Sequence, residues 1–225
     1  MKRVLEPELM EDQAQALAYA RADFAGVNQE FVDRFVETFP EFRTGRVIDL
    51  GCGPADIPIR LARALPDIRI AAVDGSEMML AFGQQAVDEA GLSSRIRLLH
   101  ARVPDLPLPP HSFEAVISNS LLHHLPEPSV FWREVARLGK TGAAVLIMDL
   151  FRFPSPEEAK TYVERVAANE DPILKEDFYN SLLAAFTVDE VRAQLAKDLN
   201  CLECRVISDR HWLVSGRLPS KFLAE

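Results

Sequence analysis

Apolar residues recur along this chain at two alternating periods. Short runs rich in Val, Ile and Leu lie at residues 46–50, 68–74, 95–100, 112–119 and 142–150, and such runs read as buried strands. Between them the apolar positions fall three and four apart. Ile57, Leu61, Ala64 and Leu65 share one face before Pro66, Ser76 caps a stretch that Gly91 ends, and a further stretch runs from Pro128 to Leu138; each reads as a helix. Two helices are expected ahead of the first strand, over residues 7–24 with Pro7 at the start, and from Asn28 as N-cap to Phe39.

After the fifth strand the pattern changes. Ser155-Pro156-Glu157-Glu158 is a capping box that opens a helix to about Ala168, and Asp171-Pro172 opens another carrying Ile173, Leu174, Phe178 and Leu182. A second capping box, Thr187 to Glu190, heads a helix to about Asp198, and residues 202–208 and 211–215 read as a closing hairpin. The expectation is an α/β three-layer sandwich: a mostly parallel seven-stranded sheet with the last strand antiparallel, N-terminal helices, and a helical insert after the fifth strand. Length fits one domain. Its parts are a helical cap (1–40), a core (41–150), the insert (151–186), and a final helix and hairpin (187–225).

Composition narrows the function classes. A hydrophobic content of 48% suits a full core. A formal net charge of −9, with no Lys/Arg-rich block, argues against nucleic acid. The apolar stretches are far shorter than a membrane span, and the N-terminus lacks a hydrophobic signal core, so the expected location is cytoplasmic. Three cysteines make no disulfide framework. Cys201 and Cys204 form a single C-x-x-C with no second pair, so neither zinc nor redox chemistry is expected there, and no metal ligand set is expected elsewhere.

The chemistry centres on Val47-Ile48-Asp49-Leu50-Gly51-Cys52-Gly53-Pro54-Ala55-Asp56, a strand, a glycine turn and a helix start. Glycine lets backbone approach a ligand closely, because no Cβ intervenes. A dinucleotide fingerprint would require Gly or Ala where Asp56 stands, and that charge opposes a pyrophosphate at a helix N-terminus. No Gly-Lys-Ser/Thr follows, which removes a triphosphate loop. Asp49, at the mouth of the strand, suits a ligand with an ammonium group. Asp74 ends the second strand, 23 positions beyond Gly51, where a carboxylate can accept both hydroxyls of a ribose.

These motifs resemble the class I S-adenosylmethionine (SAM)-dependent methyltransferases of the small-molecule type. In that family the glycine turn (Gly51, Cys52 and Gly53 here) cradles the methionine part of SAM, with the acid, Asp49, near its amino group. Asp74 resembles the ribose acid. Gly75-Ser76-Glu77-Met78-Met79-Leu80 resembles the family's Asp-x-Ser-x-x-Met-Leu, which implies Met79 against the adenine. Where the family carries an acid for the adenine amino group, this chain has Arg102-Val103, upstream of Asp105-Leu106-Pro107. An arginine accepts no hydrogen bond, so the backbone there is left to serve. Residues 112–125 resemble the family's run from Ser-Phe-Asp to Leu-His-His-Leu, which implies Asn119 and Ser120 at the ligand and His124 as a candidate base. Tyr19 resembles the aromatic that a leading helix lays on SAM.

The resemblance implies methyl transfer from SAM to a small-molecule acceptor, with a homodimer compatible and no nucleic-acid or membrane partner. The insert, with Tyr179, Asn180 and Ser181, is expected as a lid. The alternatives are a non-catalytic SAM-binding protein or another adenosyl-cofactor enzyme such as an aminopropyltransferase.

Overall fold

Alternation within single strands decides how the layers assemble. In strand β1 (Thr44–Leu50), Val47 packs into one apolar cluster and Ile48 into another, the period-two separation of a strand covered on both faces. A computed structural model describes residues 1–6, 19, 22–104 and 106–219; most of the expected first helix, and Asp105, lie outside them.

Among the described residues the elements follow in the order α1 (Ala25–Thr38), β1, α2 (Asp56–Ala64), β2 (Asp67–Asp74), α3 (Glu77–Glu89), β3 (Ile96–His100), β4 (Phe113–Asn119), α4 (Pro128–Leu138), β5 (Gly139–Leu150), α5 (Pro156–Val166), α6 (Pro172–Ala184), α7 (Val188–Asp198), β6 (Leu202–Val206) and β7 (His211–Arg217). The sheet order is β3-β2-β1-β4-β5-β7-β6. β1 pairs in parallel with both β2 and β4, whereas β7 runs antiparallel between β5 and β6. This matches the expected seven-stranded sheet.

One face is covered by Phe31, Phe35, Leu61 and Val87 from α1 to α3, the other by Trp132, Val135, Val191 and Leu195 from α4 and α7. Helices α5 and α6 form a smaller third cluster with Leu150, built on Tyr162, Val163 and Leu182.

α1 begins three residues before the expected N-cap, Asn28. The Asp23 carboxylate accepts the Ala25 N–H at 3.0 Å and starts the helix there. The Asn28 amide is instead committed to Asp56, donating to Oδ2 at 2.9 Å, which ties α1 to the start of α2. Of the two expected capping boxes, Thr187 and Glu190 cap each other reciprocally, whereas at α5 Ser155 accepts from the Glu158 N–H without the return bond that completes a box.

The order reverses between β1 and β4, each of which continues outward on its own side. In open α/β sheets such a reversal leaves a crevice beyond the carboxyl ends of the strands. The strand ends here are Leu50, Asp74, Asn119 and Leu150.

Candidate functional site

A cavity of about 520 Å³ opens at that reversal, a size suited to one small-molecule ligand. Its floor is the glycine turn. Gly51 and Cys52 both donate their N–H to the Val73 carbonyl, at 2.8 and 2.9 Å, so the turn is pulled onto the end of β2. Gly51 sits at φ 77°, and a Cβ there would lie 3.0 Å from the Leu121 side chain. Only glycine therefore fits that position without displacing the loop after β4.

Asp74 clamps the same turn. Its Oδ2 accepts the Gly53 N–H at 2.8 Å and its Oδ1 accepts the Ser76 N–H at 2.9 Å. Burial pushes its carboxyl above the ordinary range, opposed by these backbone hydrogen bonds. Each oxygen keeps lone-pair capacity for a further donor from the cavity.

Asp49 is 2% exposed and faces the same space, and no described cation pairs with it. Burial, and then the nearby Asp74 charge, push its carboxyl up to about 8. At neutral pH the group is therefore held mostly protonated. On the neighbouring strand β4, the Oδ1 atom of Asn119 is buried without a hydrogen-bond partner. A buried carboxyl lacking a cation and a buried amide oxygen lacking a donor describe one missing group, a cation with N–H donors.

Tyr19 closes the other side. Its ring lies against Phe24 at 4.8 Å between centroids, and faces Gly53. Burial raises its phenol to about 12, so the hydroxyl stays protonated. Met79 is 3% exposed and lines the cavity with Gly75, Arg102 and Val103. The Cys52 thiol is raised well above its ordinary value by burial and by the carboxylates of Asp49 and Asp74, which makes it a packing group rather than a nucleophile.

At the far end lie Asn119, Ser120, Leu121 and His124. Ser120 holds a left-handed φ of 57°, fixed by its N–H to the Met148 carbonyl at 2.9 Å. His123 and His124 belong to a single 3₁₀ turn, Leu122–His124, yet have separate fates. His123 is buried and joined to Asp149: Nδ1 lies 2.5 Å from Oδ1, and its backbone N–H donates to Oδ2 at 3.0 Å. Burial acts against both charges, but the mutual attraction outweighs it, so His123 is raised and Asp149 held below the usual carboxylate range. His124 reaches the cavity.

All thirteen residues singled out from the sequence line this one cavity. The sequence reading missed Glu6. Its Oε1 lies 3.3 Å from His123 Nε2 and 3.1 Å from His124 Nδ1. Nothing periodic marks Glu6, since it comes from the N-terminal segment and meets the histidines only through the fold. Asn28, Asp56 and Arg60 also line the cavity without having been foreseen. Among the described residues none from 151–186 lines it; α6 meets Glu6 instead, where Ser181 donates to Oε2 at 3.3 Å.

Glu6, His123 and His124 place three potential metal-ligand atoms within 4.8 Å of one another. The two rings, however, are stacked at 4.2 Å with a tilt of 34°. One Glu6 oxygen lies within 3.3 Å of a ring nitrogen of each.

Comparison with known proteins bears on the same region. Residues 47–142 match the family model described as a methyltransferase domain. The chain's core is similar to that family. The matched stretch runs from within β1 to the start of β5 and includes the glycine turn, Asp74, His123 and His124.

Among sequence relatives, the 27-O-demethylrifamycin SV methyltransferase of Amycolatopsis mediterranei is 27% identical over 163 residues, 72% of this chain and 56% of that protein. The demethylmenaquinone methyltransferase of Geobacillus kaustophilus is 33% identical over 105 residues, 46% of this chain and 44% of that protein. The chain therefore spans about half the length of the curated relatives it matches. A crystal structure from Methanococcus maripaludis, described as an S-adenosyl-L-methionine-dependent methyltransferase, superposes with a TM-score of 0.74 at 19% identity, covering 98% of this chain and all of that one. At that identity the likeness establishes the fold. Among the described residues no helix is long and apolar enough to cross a membrane.

Proposed function

We propose that the chain is a SAM-dependent methyltransferase that moves a methyl group to a small-molecule acceptor by in-line displacement. The observation that carries this reading is the presence of Asp49 and Asn119 in one cavity: a buried carboxyl without a cation and a buried amide oxygen without a donor. The α-ammonium of SAM is the complement to both. Asp74 then faces the ribose hydroxyls, Met79 and the Arg102–Val103 backbone face the adenine, and Tyr19 covers the methionine part. A bound SAM supplies a methyl already activated on a sulfonium.

The protein's own share is alignment and the exclusion of water. Position and small cavity volume direct the acceptor to the end lined by Asn119, Ser120 and His124. The match to a methyltransferase domain supports the reaction class. The relatives named for rifamycin and demethylmenaquinone methylation support a small-molecule acceptor. The insert, residues 151–186, is assigned as a cover over that end, on the ground that α6 meets the His123–His124 turn through Ser181 and Glu6. Three free thiols agree with a reducing, cytoplasmic setting.

Isothermal titration of the purified chain with SAM, S-adenosylhomocysteine and NAD tests the cofactor. Both adenosyl compounds should bind and NAD should not, whereas NAD binding comparable to SAM would overturn the reading. An acceptor screen with methyl-labelled SAM tests the reaction itself.

A further inference from the structure

The site described above leaves one buried cluster unused. Asp149, His123, Glu6 and His124 form a continuous array whose last member alone opens into the cavity. Glu6 holds the centre of it. Its side chain is 8% exposed, and Oε1, a buried atom without a hydrogen-bond partner, lies 3.3 Å from His123 Nε2 and 3.1 Å from His124 Nδ1.

The chain secures Glu6 there with some care. Arg3 donates to the carbonyls of His123 at 2.6 Å, Leu125 at 2.9 Å and Ala184 at 2.5 Å, and its guanidinium lies 3.9 Å above the Phe186 ring. The Val4 N–H donates to the Leu183 carbonyl at 3.0 Å. Residues 1–6 are thereby fastened between α6 and the histidine turn, and Ser181 donates to the second Glu6 oxygen.

We infer that Glu6 is a positioning residue for His124, making it the proton acceptor at the acceptor end of the cavity. The inference rests on the methyltransferase reading. A carboxylate oxygen 3.1 Å from Nδ1, outside hydrogen-bond geometry, acts through its charge and favours a ring proton over a lone pair on that atom, which puts the lone pair on Nε2. His124 Nδ1 is buried while its side chain is 16% exposed, so the exposed part of the ring is the part away from Glu6. The carboxylate also stabilises the imidazolium that forms when Nε2 takes a proton.

A base is useful only when the acceptor arrives protonated, so the substrate class is a hydroxyl compound, a phenol or enol, rather than a tertiary amine. The step balances as follows. The acceptor O–H breaks with its proton going to His124 Nε2, and the oxygen forms the new bond to the methyl carbon. The sulfur–methyl bond breaks with its electron pair remaining on sulfur, which becomes neutral. His124 is left as an imidazolium beside the Glu6 carboxylate and then yields its proton to water.

Other charged groups act on the pair. From the N-terminal segment comes Arg3, from β5 Asp149, from α6 Asp177, and from the turn His123. Burial raises the Glu6 carboxyl to about 7, against the His123 charge and the Ser181 hydrogen bond. Support for His124 is consequently strongest above neutral pH, where Glu6 is ionised.

The test needs no acceptor. Diethyl pyrocarbonate modifies neutral imidazole, and peptide mass spectrometry with fragmentation separates His124 from His123. The modification rate of His124 is followed from pH 5 to 9 in the full chain, in Glu6→Gln and in Glu6→Asp. The expected result is a midpoint for His124 that falls by about one pH unit in Glu6→Gln, a tenfold loss of proton affinity, with partial recovery in Glu6→Asp. An unchanged midpoint overturns the inference. If Glu6→Gln does not fold, as judged by its thermal melt, the comparison of wild type with Glu6→Asp decides by the same criterion.

Two controls sharpen the outcome. Saturating S-adenosylhomocysteine should leave His124 reactive, since the acceptor end stays open; loss of reactivity would place His124 beneath the cofactor and overturn the assignment. Chelation should leave the profile unmoved; a shifted profile would assign the cluster to a cation and likewise overturn it. Absence of S-adenosylhomocysteine binding by calorimetry would sink the methyltransferase reading instead, and the Glu6–His124 coupling would still be measured in the unliganded chain.

Discussion

Two acids at the ends of adjacent strands meet opposite demands. Asp74 is anchored by backbone N–H groups of Gly53 and Ser76 before any ligand arrives, whereas Asp49 is buried with only another carboxylate near it. Replacing Asp74 with Ala removes the proposed ribose acceptor together with the clamp on the glycine turn. Loss of a charge-assisted pair of hydrogen bonds costs about 1.5–3 kcal/mol, so the dissociation constant for S-adenosylhomocysteine should rise more than tenfold by calorimetry. An unchanged constant would place the ribose elsewhere. Asp49 predicts a proton linkage instead. Its carboxyl sits near 8 in the unliganded protein and must ionise to meet an ammonium, so affinity for S-adenosylhomocysteine should rise roughly twenty- to thirtyfold from pH 6 to pH 7.5. Titration at pH 6.5 in buffers of different ionisation enthalpy should detect close to one proton released per ligand bound. Asp49→Asn should bind more weakly and release none.

At the scale of elements, the N-terminal segment is fastened largely by one side chain. Arg3 reaches the carbonyls of His123, Leu125, Pro126 and Ala184 and stacks on Phe186. Arg3→Ala should therefore lower unfolding stability by about 2 kcal/mol, with hydrogen bonds from a charged donor setting the scale, as read from urea denaturation. If α5 and α6 cover the acceptor end, S-adenosylhomocysteine should slow amide exchange in residues 156–184 together with the segment around Tyr19. Protection confined to the glycine turn and the Asp74 loop would remove the lid. These elements also show which features local pattern can reveal. Strands, capping boxes, Asp49 and Asp74 were legible, because period, caps and a fixed distance from a glycine turn are local in sequence. The start of α1 was not, because Asn28 looks like a cap, yet its amide is drawn off to Asp56 across the fold. Glu6 was illegible for the same reason: its partners lie more than a hundred residues away and only the sheet order brings them near. The pairing of His123 with Asp149 depends likewise on the adjacency of β4 and β5.

Over the whole molecule, the site imposes a pH dependence on folding. Asp49 is raised from 3.8 to about 8 and Glu6 from 4.5 to about 7, each mainly by burial. A carboxyl whose folded value lies above its unfolded one binds its proton more tightly in the native state. Its contribution to stability is full below the unfolded value and is lost as pH climbs through the folded one. His123, raised by Asp149, acts in the same direction on the alkaline side. Asp149, held low, contributes in the opposite sense, but its loss belongs to acid pH below the ordinary carboxylate range. The unliganded protein should therefore lose melting temperature steadily between pH 5 and pH 8.5, by an amount on the order of a few kcal/mol in stability. Asp49→Asn should flatten the upper part of that slope and melt higher than wild type at pH 8, since an amide is buried at less cost than a carboxylate. The ligand inverts the trend. An ammonium paired with Asp49 lowers its carboxyl value in the complex, so the stabilisation from saturating S-adenosylhomocysteine should grow as pH rises from 5.5 to 7.5. Thermal melts across that range, with and without the ligand, measure both slopes. A ligand-induced shift that stays constant with pH would mean that Asp49 does not carry the ammonium, and that the buried acid is a fixture of the fold.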